Sequence, residues 1–201
     1  MVFKLDFKKE KYIKIILYII SRCTHKENLG KTVISVLLYF IDFNYYELYG
    51  ESLTNEIYLK SRIGVIPKHF NENMNQLIRS HNLYSRQEVY YYYLIKRYCL
   101  RQIPLFNFTE EEQMVIDHVI YELSDFSATD LLIYQRGDMP YKLSNLDCEL
   151  DYNHVFYRDE LYSVRKYWLY HCIIVSCIMA CCIVSLNNIE NFKCNYNHYN
   201  Y

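Results

Sequence analysis

The sequence predicts a predominantly helical α+β domain, and three observations carry that reading. From Lys31 to Tyr49 apolar residues recur at helical spacing, with Val33, Val36, Leu37, Phe40, Ile41 and Leu48 on one stripe. A period-two pattern follows over Glu56 to Arg62, where Ile57, Leu59 and Ser61 alternate with Tyr58, Lys60 and Arg62. Helix-start signals then appear twice in the second half, as Thr109 with Glu112 and as Ser127 with Asp130. Helices are expected to pack around the Lys31–Tyr49 helix, with a small antiparallel sheet beside it.

Taken in order, Lys8 to about Cys23 reads as a buried helix, apolar nearly all round from Tyr12 to Ile20 and wetted at its start by Lys8, Lys9, Glu10, Lys11 and Lys14. Thr24 to Gly30 is a polar connector. The amphipathic Lys31–Tyr49 helix stops at Gly50, which takes a left-handed conformation without a steric penalty. The strand Glu56–Arg62 is ended by Gly64 and Pro67. A helix from about Pro67 to His81 places Phe70, Met74, Leu77 and Ile78 on one face, with the proline in its first turn. Tyr84 to Leu100 contains Tyr90-Tyr91-Tyr92-Tyr93-Leu94-Ile95 and reads as a β-prone strand that pairs with Glu56–Arg62. A capping box at Thr109 to Glu112 opens a helix to about Leu123, and Ser127 caps another from Ala128 to about Gln135.

The stretch from Lys31 to Phe70 resembles the Panacea domain, the SocA-like antitoxin family. The residues that carry the likeness are Leu37-Leu38-Tyr39-Phe40, Asp42-Phe43, Tyr49-Gly50, Leu53-Thr54, Tyr58, and Gly64 followed by Pro67, in family order and spacing. Leu123-Ser124 and Ser127 to Leu131 extend it. Where the family has glycine after the threonine this chain has Asn55, which tolerates a left-handed turn. Where the family reads Gly-Pro-Val-Pro this chain reads Gly64-Val65-Ile66-Pro67, so one rigid φ angle is lost. The family's Ser-His and Pro-Trp positions are Tyr134-Gln135 and Pro140-Tyr141 here, so no role of that histidine carries over. The resemblance implies a domain over residues 1–162, with Asp42, Gly50, Thr54, Gly64, Pro67 and Ser127 as its structural motif.

The formal net charge of -1 gives no overall field towards nucleic acid, and no nucleic-acid partner is expected. The 8 cysteines form neither C-x-x-C pairs nor a disulfide framework, which suits a reduced, cytoplasmic setting. Gly30, Gly50, Gly64 and Gly137 lie too far apart for a phosphate-cradling loop. His171 with Cys172, Cys177, Cys181 and Cys182 would need ligands from elsewhere to close a metal site, and the cysteines read as small apolar filler, so no metal or cofactor is expected. Asp117-His118 points its two side chains about 100° apart on a helix, which does not suit an acid-base pair. Asp42 has Leu38, Tyr39, Tyr45 and Tyr46 three or four positions away, and a carboxylate so placed must be hydrogen-bonded or neutral. It reads as a structural anchor.

From Tyr167 to Leu186 no formally charged residue occurs, a length that suits a membrane-crossing helix preceded by Arg158, Arg165 and Lys166. The same stretch equally suits a helix buried in the domain or in a dimer. The expected layout is therefore an apolar helix over 163–186, read as transmembrane or packed, and an unordered tail over 187–201. The resemblance implies an antitoxin that neutralises a cognate toxin by direct contact or presents it to a cellular protease, with no enzymatic turnover. Tyr46, Tyr49, Tyr58, Arg62 and Lys68 flank the motif and are the expected partner contacts, since Tyr and Arg are favoured interface anchors. The other reading is a membrane-anchored accessory protein.

Overall fold

The computed structural model describes residues 6–166. Helix α1 spans Lys9–Arg22 and helix α2 spans Lys31–Tyr49. Gly50 ends α2 at φ 72°, with its N–H donating to the Tyr46 carbonyl, as a left-handed cap requires. The expected stripe on α2 is too narrow a description. Buried residues face every direction around this helix, because α1, β2, α4, α5 and the 3₁₀ turn all pack on it. A helix enclosed in this way has no wet face left, so its pattern reads as nearly continuous apolar sequence.

Two short strands follow, β1 (Tyr58–Lys60) and β2 (Val65–Pro67), paired antiparallel with Leu59 opposite Ile66. The expected pairing of Glu56–Arg62 with Tyr84–Leu100 is not what forms. The partner of β1 lies a few residues downstream, closed by a tight loop in which Ser61 N donates to the Gly64 carbonyl at 2.8 Å. Gly64 and Pro67 therefore turn and complete the second strand instead of ending the first. The other side of β1 carries residues 147–150: Lys60 N donates to the Cys148 carbonyl and Leu150 N to the Tyr58 carbonyl.

Helix α3 is Phe70–Arg79, so Pro67 stands in β2 and not in a first helical turn. The Tyr84–Leu100 segment folds on itself as a hairpin, β3 (Leu83–Tyr90) with β4 (Tyr93–Leu100), and Tyr91 and Tyr92 make the turn. No Asn-Gly or Gly-Gly pair advertises this turn. Tyr91 itself takes φ 53°, a left-handed conformation that costs a residue with a side chain about 1–2 kcal/mol.

Helices α4 (Glu110–Leu123), α5 (Ala128–Gly137) and α6 (Met139–Leu143) complete the set, with a 3₁₀ helix at Tyr152–Tyr157. Thr109 and Glu112 form both bonds of the capping box, and Ser127 accepts from Asp130 N. Glu112 also receives Lys11 Nζ, which ties α1 to α4. Residues up to Ser163 form one compact unit. Among the described residues no helix is long and apolar enough to cross a membrane. The expected apolar helix, from Tyr167 on, and the tail over 187–201 lie outside the described residues.

Candidate functional site

Asp42, on the fourth turn of α2, gathers the polypeptide that follows the helix. It is 1% exposed. Its Oδ1 accepts from Thr54 N at 3.0 Å, and its Oδ2 accepts from Thr54 Oγ1 and from Tyr58 Oη at 2.7 Å. Thr54 Oγ1 in turn accepts from Glu56 N at 3.2 Å. The Tyr58 hydroxyl also reaches the Leu38 carbonyl, at 3.0 Å. The hydroxyl carries one proton, which the Asp42 carboxyl and the Leu38 carbonyl share. Burial pushes the Asp42 carboxyl up to about 6, against the lowering effect of the Thr54 and Tyr58 hydrogen bonds and with a contribution from Glu56. Burial, and then Asp42, hold the Tyr58 phenol well above its ordinary value.

Glu56 is buried beside this cluster. Its Oε1 accepts from Ile57 N at 2.7 Å and lies 2.8 Å from Nδ1 of His69, whose ring stacks on Phe7. Sequence reading missed this pair, since two residues outside the regular elements and 13 positions apart share no helical or strand period. Asn55, between Thr54 and Glu56, takes φ 55°, a left-handed conformation that asparagine tolerates. Gly64 runs so close to α5 that a Cβ there would lie 2.5 Å from Leu132 Cδ2 and 2.8 Å from Gln135 Oε1. Gln135 is fully buried and its Oε1 accepts from Val65 N at 2.8 Å. The glutamine side chain thus holds the start of β2.

A second buried cluster centres on Arg158. Its Nε donates to Asp138 Oδ1 at 2.9 Å and its Nη2 to Asp138 Oδ2, a bidentate pair, while Nη1 donates to Glu47 Oε2 at 2.9 Å and Asn44 Oδ1 at 2.8 Å. Asp138 also accepts from Tyr39 Oη and caps α6 through Met139 N. Burial alone would lower the Arg158 guanidinium, but Asp138, with Tyr39 and Glu47, more than offsets it, so the group stays charged. This cluster joins α2, the α5–α6 junction and the chain after the 3₁₀ helix. No local motif foretold it.

The five expected contact residues do not share one environment. Arg62 and Lys68 are exposed at either end of the β1–β2 hairpin. Tyr46 is half-buried, its ring tilted against Tyr152 and its hydroxyl donating to Asn153 Oδ1, and Tyr49 lies against Tyr45. Tyr58 is 1% exposed and spent in the Asp42 cluster, so it presents no side-chain surface to a partner. Asp117 accepts from Tyr18 Oη at 2.8 Å, which turns its carboxylate towards α1. Among the described residues no group of His, Cys, Asp and Glu is placed to hold a metal ion.

The family model described as antitoxin SocA-like, Panacea domain matches residues 37–138, just over half of the chain. The chain belongs to this family. No curated protein and no solved structure matches it. The matched span of the Panacea domain begins within α2 and ends at Asp138, so it holds Asp42, Thr54, Tyr58 and Gln135 but stops before Arg158.

Proposed function

We propose that this protein is an antitoxin that neutralises a cognate toxin by direct protein contact, and that its Panacea domain spans residues 1–162. Membership of the SocA-like antitoxin family is the observation that carries the reading. The buried chemistry supports a binding role: Asp42, Glu56, Asp138 and Arg158 are each engaged within the fold, holding loops in place and leaving recognition to the surface. Arg62 and Lys68 beside the β1–β2 hairpin, and Tyr46 and Tyr49 on α2, are the side chains assigned to that recognition. The site of action is the cytoplasm, and the finer alternative is that the bound toxin is handed to a cellular protease.

Co-expression with the product of the neighbouring gene tests this. Growth should stop when that product is made alone and resume when this chain is supplied, with a complex recovered by pull-down. Rescue that persists in a strain lacking the major cytoplasmic proteases assigns sequestration; rescue lost there assigns delivery for degradation. A neighbour that is harmless alone and binds nothing here removes the antitoxin reading.

A further inference from the structure

Residues 6–8, just ahead of α1, form a strap against the loop that Asp42 holds. Lys8 N donates to the Thr54 carbonyl at 2.8 Å, Lys8 Nζ to the Ser52 carbonyl at 3.0 Å, and Asn55 Nδ2 to the Asp6 carbonyl at 2.9 Å. Thr54 is therefore gripped from two sides, its N–H and hydroxyl by Asp42 and its carbonyl by the strap. The Phe7 ring lies flat on His69, with centres 4.3 Å apart, and edge-on to Tyr12 at 5.2 Å. His69 is the base paired with Glu56, and its side chain is 27% exposed where that of Glu56 is fully buried. Phe7 thus covers the ring through which the buried Glu56 carboxyl meets the surface.

Beneath the strap two buried carboxyls belong to one hydrogen-bonded cluster, joined through Thr54, whose hydroxyl donates to Asp42 and accepts from Glu56 N. The groups that face Asp42 from the packed elements are phenols: Tyr12 from α1, Tyr58 from β1 and Tyr152 from the 3₁₀ helix, each raised by burial and then by the nearby carboxylates. The two bases at the edge are engaged elsewhere, Lys8 Nζ by the Ser52 carbonyl and His69 by Glu56. Like charges in so dry a place favour a proton on one of them. Burial, with a contribution from Glu56, does raise the Asp42 carboxyl to about 6, whereas in water it would ionise near the ordinary 3.8. Any opening that brings water to Asp42 is therefore linked to the loss of its proton.

We propose that the 6–8 strap and the 52–56 loop form a proton-gated latch, closed while Asp42 keeps its proton and opening together, locally, when the proton leaves. Opening breaks the strap bonds and the grip of Asp42 on Thr54 and leaves α1, α2 and α4 packed, so it precedes unfolding. Amide hydrogen exchange of the full chain, followed by NMR from about pH 4 to 7 and corrected for the intrinsic pH dependence of exchange, tests it. The Thr54 and Lys8 amides should open roughly 50-fold more often at pH 7 than at pH 4, in step with each other, as the shift from 3.8 to about 6 requires. At every pH they should open more often than the core amides of Leu37 and Ile41. Asp42→Asn should flatten both profiles. Phe7→Ala leaves the carboxyl cluster in place and should make Thr54, as well as Lys8, open several-fold more often. The carboxyl carbon of Asp42 gives the same answer in wild type: Thr54 opening should stop rising once that carbon has titrated. A slope that survives in Asp42→Asn, or that continues in wild type after Asp42 has ionised, overturns the gating. Thr54 unmoved by Phe7→Ala, or exchanging only at the rate of Leu37 and Ile41, overturns the latch.

Discussion

At the scale of single residues, Asp42 shows how burial turns one carboxyl into a pH-dependent element of stability. Its folded value of about 6 lies above the ordinary 3.8, so its favourable contribution is complete below about pH 4 and is lost as pH rises through 6. A rise of that size corresponds to about 3 kcal/mol. Asp42→Asn keeps an acceptor for Thr54 N and sets an amide donor against Tyr58, whose hydroxyl donates on to the Leu38 carbonyl, so it should fold and should lack this slope. Urea unfolding at a series of pH values checks it: the stability of the asparagine variant relative to wild type should increase between pH 4 and pH 7. Asp42→Leu instead strands Thr54 N and takes away the acceptor of the Thr54 hydroxyl proton, while Tyr58 keeps the Leu38 carbonyl, and should lose a few kcal/mol at about 1–3 kcal/mol for each buried group. Equal melting temperatures for wild type and Asp42→Leu would overturn the anchor. Asp42 was legible as an anchor because of the rings around it on α2. Its partners Thr54 and Tyr58 lie beyond the helix, where helical spacing has nothing to say.

At the scale of elements, local chemistry decided the starts and stops of helices. Gly50 ends α2, and Thr109 with Glu112 opens α4, because these signals act within one turn of backbone. Thr109→Ala removes the acceptor for Glu112 N and should cost about 1 kcal/mol, read as a shift in thermal midpoint. Strand pairing was not legible in the same way. Alternation marks a strand but does not name its neighbour, so β1 found β2 through a four-residue loop and Tyr84–Leu100 closed on itself. The second of these had no turn residue to announce it, and the cost of Tyr91 at positive φ is met by the ladder of β3 on β4.

At the scale of the whole molecule, Arg158 joins segments that are more than a hundred residues apart in sequence. Removing the guanidinium leaves Asp138 and Glu47 buried without their cation, a change that typically costs about 3–5 kcal/mol. Arg158→Met should therefore lower the urea midpoint sharply, and a variant that unfolds with the wild-type midpoint would show that the cluster adds nothing. Arg158 lies outside residues 37–138, so a fragment cut to the matched span should be markedly less stable than residues 1–162. Circular dichroism of the two fragments on heating measures that difference.

Helical periodicity, capping chemistry and the ordered motif from Leu37 to Pro67 determined the fold class and the family from sequence alone, because each acts over a few neighbouring residues. The environments of Asp42, Glu56 with His69, and Arg158, and the enclosure of α2, were decided only by tertiary structure. Burial and hydrogen bonding between distant segments depend on which surfaces meet, and no local period encodes that.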